Sequence, residues 1–246
     1  MILFVRALAW RLALVLSVVA AVHAADLPAS ERRSGYDFMS RETRAMQDDD
    51  AANPGMLWVL DGEALWQAGK PSCASCHADM KGVAARYPAV TSGRLVNLEQ
   101  RINLCRTEKQ HAKPYADESK ELLSLTAYIA LQSRGMPIAV KDDATKGKTL
   151  YEQRQGQLNM SCAQCHDQQA GRHLGGSVIP QAHPTGYPIY RLEWQTLGSL
   201  ERRLRNCLIG IRAEPYGYGA PEMVELELYL MTRARGMKMD APGVRP

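Results

Sequence analysis

Apolar side chains recur at helical spacing in two places far apart in the chain. Leu122, Leu123, Leu125, Ile129 and Leu131 form one stripe, and Met223, Val224, Leu226, Leu228 and Leu230 form the other. Each stripe runs into the tripeptide Arg-Gly-Met, at Arg134 and at Arg235, whose glycines Gly135 and Gly236 are expected to stop a helix. A third apolar run, Leu12 to Val22, reads differently. Arg6 and Arg11 lie ahead of its core, and Val22-His23-Ala24 closes it on a small residue, the pattern of an export signal cut after Ala24. A retained membrane anchor needs about 20 apolar residues, and this run is shorter. The expectation is a signal peptide over 1–24 and a periplasmic mature protein with no membrane attachment.

The two stripes belong to a longer repeat. Gly62-Glu-Ala-Leu65-Trp66 matches Gly147-Lys-Thr-Leu150-Tyr151, and Tyr87-Pro88 matches Tyr187-Pro188. Leu95, Leu98, Glu99, Arg101 and Cys105 recur at identical offsets as Leu197, Leu200, Glu201, Arg203 and Cys207. Tyr128 and Tyr229 stand at matching distances before the two Arg-Gly-Met segments. The chain therefore holds two copies of one mostly helical module. The predicted organisation is an N-terminal extension over 25–55, a first domain over 56–140 and a second over 141–246. The charged stretch Lys141 to Lys146 serves as linker, and the extension is expected to wrap the first module.

Cysteine usage changes the picture most. Four of the six cysteines fall in Cys73-Ala-Ser-Cys76-His77 and Cys162-Ala-Gln-Cys165-His166, the pattern of covalent haem c attachment. Two thiols in one helical turn form thioethers to the haem vinyls, and the adjacent histidine, His77 or His166, sits beneath the iron. Two covalently bound haem c groups are thus expected. A helix, an attachment motif, a loop and a closing helix resemble the small single-haem cytochrome c fold. The fold class is mainly α, two tandem cytochrome c-like domains related by internal duplication. Only two Phe and 46% apolar residues make a modest protein core, which two porphyrins would complete. The formal charge of +4, halved once Arg6 and Arg11 are removed, argues against a nucleic-acid partner.

The sixth ligand of each iron decides the chemistry. Electron-carrying c-type domains mostly place a Met ahead of the closing helix; here the duplicated residue in that place is Cys105 and Cys207. Axial ligation by both is favoured, with a disulfide joining the modules or two free buried thiols as alternatives. Met136 and Met237 are duplicated but follow the closing helix, where packing is their expected role. Met80, Met160, His111, His173 and His183 have no counterparts, and the histidines are expected in solvated loops. Thiolate ligation lowers the haem potential relative to Met and suggests a site where sulfur reacts. Arg203 lies four residues before Cys207, on the same helical face, where it can hold an oxyanion by two hydrogen bonds and lower the thiol pKa. Arg101 stands in the same relation to Cys105, so a haem propionate or a carboxylate is the competing partner.

Both attachment motifs, the paired Cys105 and Cys207, and the segment from Arg203-Leu-Arg-Asn-Cys207 to Pro215-Tyr-Gly-Tyr resemble the SoxA family, the cytochrome subunit of periplasmic thiosulfate-oxidising systems. The resemblance covers roughly residues 56–240. It implies a heterodimer with a small monohaem cytochrome, SoxX. That complex, an L-cysteine S-thiosulfotransferase, links thiosulfate oxidatively to a cysteine of the carrier protein SoxYZ. It further implies Cys207 as the active-site haem ligand, carried as a persulfide, Arg203 as the active-site arginine, and a first haem, with His77 and Cys105, remote from turnover. A two-haem electron carrier without sulfur chemistry, a thiosulfate dehydrogenase making tetrathionate and a two-haem peroxidase are the competing functions.

Overall fold

The two apolar stripes form the closing helices of two matching modules. The computed structural model describes residues 27–246, so the expected signal peptide lies outside the described residues. In chain order the elements are α1 (Arg41–Asp48), α2 (Gly55–Gln67), α3 (Cys73–Cys76), β1 (Ala89–Thr91), β2 (Arg94–Val96), α4 (Leu98–Glu108) and α5 (Lys120–Leu131). Then follow α6 (Thr145–Glu152), α7 (Cys162–His166), β3 (His173–Leu174), β4 (Ser177–Val178), β5 (Ile189–Arg191), β6 (Thr196–Gly198), α8 (Leu200–Gly210), α9 (Pro221–Arg233) and β7 (Gly243–Arg245). The architecture is mainly α, with the same order of helix, attachment helix, hairpin and two helices in each half.

The repeat has a packing reason. In each module the opening helix crosses the closing one at a glycine. A Cβ on Gly62 would collide with the Ser124 carbonyl and meet Tyr128 Cβ at 2.9 Å. On Gly147 it would collide with the Glu225 carbonyl and meet Tyr229 Cβ at 2.8 Å. Only glycine allows that approach. The closing helices end at Leu131 and Arg233, one turn ahead of Gly135 (φ 78°) and Gly236 (φ 85°). Those glycines turn the chain into the seam between the modules.

At the seam the two Arg-Gly-Met segments pair with each other. Ile138 N–H donates to Met237 O and Gly236 N–H to Ile138 O, both at 2.9 Å, and Gly135 N–H donates to Met239 O at 2.8 Å. The bridge partners Pro137 and Lys238 hold equivalent places in the two copies. Around this pairing the modules share one core, in which Leu122, Leu125, Ile129 and Ile138 meet Leu228, Met231 and Met239.

The N-terminal extension does not wrap the first module as expected. It lies chiefly on the second. Arg32 donates to Arg235 O (2.9 Å), Arg33 N–H to Gln181 Oε1 (2.7 Å), Asn53 Nδ2 to Pro242 O (3.0 Å), and Gln47 Oε1 accepts from Val244 N–H (3.0 Å). The physical cause is β7, which pairs in parallel with β5 and carries backbone groups that need partners on its other side. One ion pair, Asp50–Arg134 at 2.7 Å, reaches back to the first module.

Candidate functional site

Two cavities, one per module, collect the chemistry-bearing residues. In the second, Ser161 caps α7 by accepting from Gln164 N–H, and the Gln164 side chain returns the bond. This fixes Cys162, Cys165 and His166 on little more than one turn. His166 Nδ1 lies 2.7 Å from the Pro180 carbonyl, to which it donates, so Nε2 is the nitrogen left for Cys207 or for an iron. Across a cavity of about 510 Å3 stand Arg203 and Cys207, one turn apart on α8, whose cap is Ser199. Burial alone would push the Cys207 thiol up, but a hydrogen bond with His166 and the charges of Arg203 and Arg191 bring it from 9.0 down to about 7. Cys162 goes the other way, to about 12, through burial and the neighbouring Cys207.

The first cavity, about 590 Å3, is lined by Cys73, His77, Arg101 and Cys105, with Trp66 and Met80 on its wall. Ser72 caps α3 by accepting from Ser75 N–H. The Trp66 ring sits 5.9 Å from the His77 ring. Burial, then Cys105, raises the Cys73 pKa. Each cavity thus collects an imidazole, a thiol and an arginine in a mostly apolar wall, with the attachment helix that carries two further thiols beside it. That donor set suits a haem held through its vinyls and ligated on both faces.

Cys105 and Cys207 belong to different cavities, and all six thiols are unpaired, so the disulfide alternative is not what the fold makes. Among the described residues Arg203 forms no ion pair with a carboxylate, although the charge of Glu193 reaches it. Met237 packs on the shared core, while Met136 is largely exposed beside Gly82. Met160 forms a backbone hairpin with Gln155.

One expectation needs correction. His183 is not in a solvated loop: it is 6% exposed, lines the second cavity and bonds through Nδ1 to Arg33 O at 2.8 Å. The extension that buries it was read in the sequence only as a polar segment. Phe38, Met39 and Thr43 of that extension also wall the second cavity, and Lys141 and Asp142 of the linker wall the first. The sequence carries no periodic signal for these, although His183, aligned with Val83, is a polar residue at an apolar position of the repeat.

A sequence model of the SoxA/TsdA cytochrome c domain matches residues 61–138 and again 146–239. The L-cysteine S-thiosulfotransferase subunit SoxA of Pseudaminobacter salicylatoxidans is 38% identical over 236 residues, covering 89% of this chain and 82% of that protein. Its counterpart in Rhodovulum sulfidophilum is 36% identical over 232 residues, covering 87% and 80%. The chain belongs to the SoxA family. A chain from the crystal structure of SoxXA from P. pantotrophus shares the fold with a TM-score of 0.84 at 34% identity, covering 87% of each chain. Membership of this cytochrome c family makes the chain a haem c protein. Among the described residues no helix is long and apolar enough to cross a membrane.

Proposed function

We propose that this chain is the dihaem subunit of a periplasmic L-cysteine S-thiosulfotransferase, paired with the small monohaem cytochrome SoxX and acting on thiosulfate and the carrier SoxYZ. The observation that carries the reading is Cys207, one helical turn from Arg203 and within hydrogen-bond reach of His166, with all three lining one cavity. Cys73 and Cys76 would hold one haem and Cys162 and Cys165 the other, with His77 and Cys105, and His166 and Cys207, as the residues that would ligate the irons. When bound, haem c supplies one-electron acceptors for the electrons the sulfur chemistry releases.

The chain's own residues do the rest. Arg203 holds the sulfonate end of thiosulfate, so that the outer sulfur points at Cys207. A sulfur–sulfur bond forms between Cys207 and that outer sulfur, and two electrons leave. The thiolate of the carrier cysteine then attacks the same outer sulfur, and Cys207 departs as thiolate. Overall, thiosulfate and one thiol give the S-thiosulfonate conjugate, one proton and two electrons. Cys105, with the same fold position, serves its haem as a ligand only.

The test is a mass measurement on the carrier cysteine after incubation with oxidised complex and thiosulfate. A thiosulfonate adduct is expected with wild-type protein and none with Cys207→Ser. Tetrathionate in place of the adduct, or electron paramagnetic resonance signals of His–Met haems in both modules, would remove the proposal.

A further inference from the structure

The two modules are internal controls for each other. Each sends an arginine from the helix after its hairpin into its own cavity, Arg101 on α4 and Arg203 on α8. The hairpin strands differ. Tyr-Pro precedes both β1 and β5, and the last strand residue before the turn is Thr91 in the first module and Arg191 in the second. Both residues line their cavities. Of the other cations at the first cavity, Arg86 and Lys141 are exposed, and Arg106 is committed to the Tyr115 ring at 3.6 Å and the Lys113 carbonyl at 3.2 Å.

Arg191 is only partly used by the protein: its guanidinium lies 5.2 Å over the Trp194 ring, a looser contact than that of Arg106 with Tyr115. Its side chain is 12% exposed, and one Nη reaches Glu193, itself 65% exposed, at 2.7 Å. Its Nε is buried without a hydrogen-bond partner. Burial and the nearby Arg203 charge lower its pKa against the pull of Glu193 and Tyr187. Against its own burial, Arg203 is raised by Cys207, Tyr187 and Glu193, so the two guanidinium groups feel each other and the thiol. Arg245, the neighbour of Arg191 in the parallel pairing, is instead occupied by Gln47 and by Asp240 at 3.4 Å.

Two haems of one kind carry the same propionates. A residue needed only to hold a propionate is expected in both modules; Arg191 has no counterpart in the first. We propose that Arg191 is a substrate-binding residue that, with Arg203, clamps the sulfonate of thiosulfate beside Cys207, and that its replacement by Thr91 leaves the first module without this site. The inference rests on the thiosulfate reading above and assigns which copy of the duplicated Cys–Arg pair reacts. A sulfonate has three acceptor oxygens in a tetrahedral fork, and two guanidinium groups approaching from a strand and a helix can serve it at once.

The test uses the haem-loaded heterodimer with its small cytochrome, titrated calorimetrically with thiosulfate without the carrier, alongside steady-state conjugation. Arg191→Gln is expected to weaken thiosulfate binding about 10- to 100-fold, the loss typical of a hydrogen bond between charged groups. KM should rise by a similar factor, while haem content and both midpoint potentials stay at wild-type values. Arg191→Lys should recover part of the affinity. Glu193→Gln, a change on the exposed hairpin, should tighten binding a few-fold by releasing Arg191. An unchanged thiosulfate Kd in Arg191→Gln overturns the proposal. So does a shifted midpoint potential or lost haem with Kd preserved, since Arg191 then serves a propionate. If the wild-type complex binds thiosulfate through Arg191 yet forms no conjugate, the transferase reading falls and the anion site stands.

Discussion

Four carboxylates meet where the modules join, and they make stability depend on pH in an unusual direction. Glu99 comes from α4, Glu118 from the loop before α5, Glu201 from α8 and Glu227 from α9. Glu201 and Glu227 are only 4% and 6% exposed. Glu201 accepts from Asn97 Nδ2 at 3.0 Å and from Gly219 N–H at 2.7 Å. Burial, with the charges of Asp117 and Glu118 added, still lifts it from 4.5 to about 7 against the pull of the Gly219 bond and Arg205. Burial together with the Glu201 and Glu99 charges raises Glu227 well above its ordinary value. The folded chain therefore keeps protons that the unfolded chain releases. The stabilisation is fully present below pH 4.5 and is lost as pH rises through about 7. At about 1.4 kcal/mol per pKa unit, Glu201 alone accounts for roughly 3 kcal/mol.

Glu227→Gln removes one charge from this group and should flatten the dependence. Thermal unfolding of the haem-loaded protein at pH 5 and pH 8.5 measures it. The variant and wild type should melt alike at the acid end, and the variant should melt higher at the alkaline end, where wild type has lost the stabilisation of the protonated Glu227. A wild-type stability that rises between these values, or identical slopes for the two proteins, would refute the account of the seam.

Replacing Cys207 with Ser should abolish conjugate formation, while Cys105→Ser should retain much of it; equal losses in the carrier-modification assay would contradict the assignment of roles. Gly147→Ala drives a methyl into the Glu225 carbonyl and should cost about 3 kcal/mol or prevent folding, measured by denaturant unfolding or soluble yield. Asp167→Asn breaks the 2.6 Å pair with Arg233, whose guanidinium also lies 4.8 Å over the Tyr151 ring. A loss of about 3 kcal/mol is expected in the same unfolding experiment, and a loss under 1 kcal/mol would show the pair to be dispensable.

The helices, including the two short ones at Cys73–Cys76 and Cys162–His166, were legible in the sequence because their constraints are local. An attachment pentapeptide needs its residues on one turn, and Arg203 and Cys207 share a helical face by spacing alone. The extension was misplaced because Gln47 and Asn53 satisfy backbone groups far along the chain, and no period records a partner at that distance. His183 was misread for the same reason. Its burial depends on the Arg33 carbonyl, which belongs to that extension. The parallel pairing of β7 with β5 was equally hidden, since a three-residue strand becomes one only when its neighbour is present.

The duplication also explains where the copies differ. The seam is isologous: Pro137 and Lys238 are one position of the module facing its own duplicate. A change there must suit both sides of the pairing, because each copy of the segment is the other's partner. The Arg-Gly-Met segments accordingly match. No such restraint acts on the cavities, which lie apart and line their walls independently. There the copies have diverged, Val83 to His183 and Thr91 to Arg191, while keeping the cysteine, histidine and arginine that each cavity needs. On the proposed function, the shared residues are the ones that would hold a haem. The unshared ones, Arg191 foremost, describe what happens beside it.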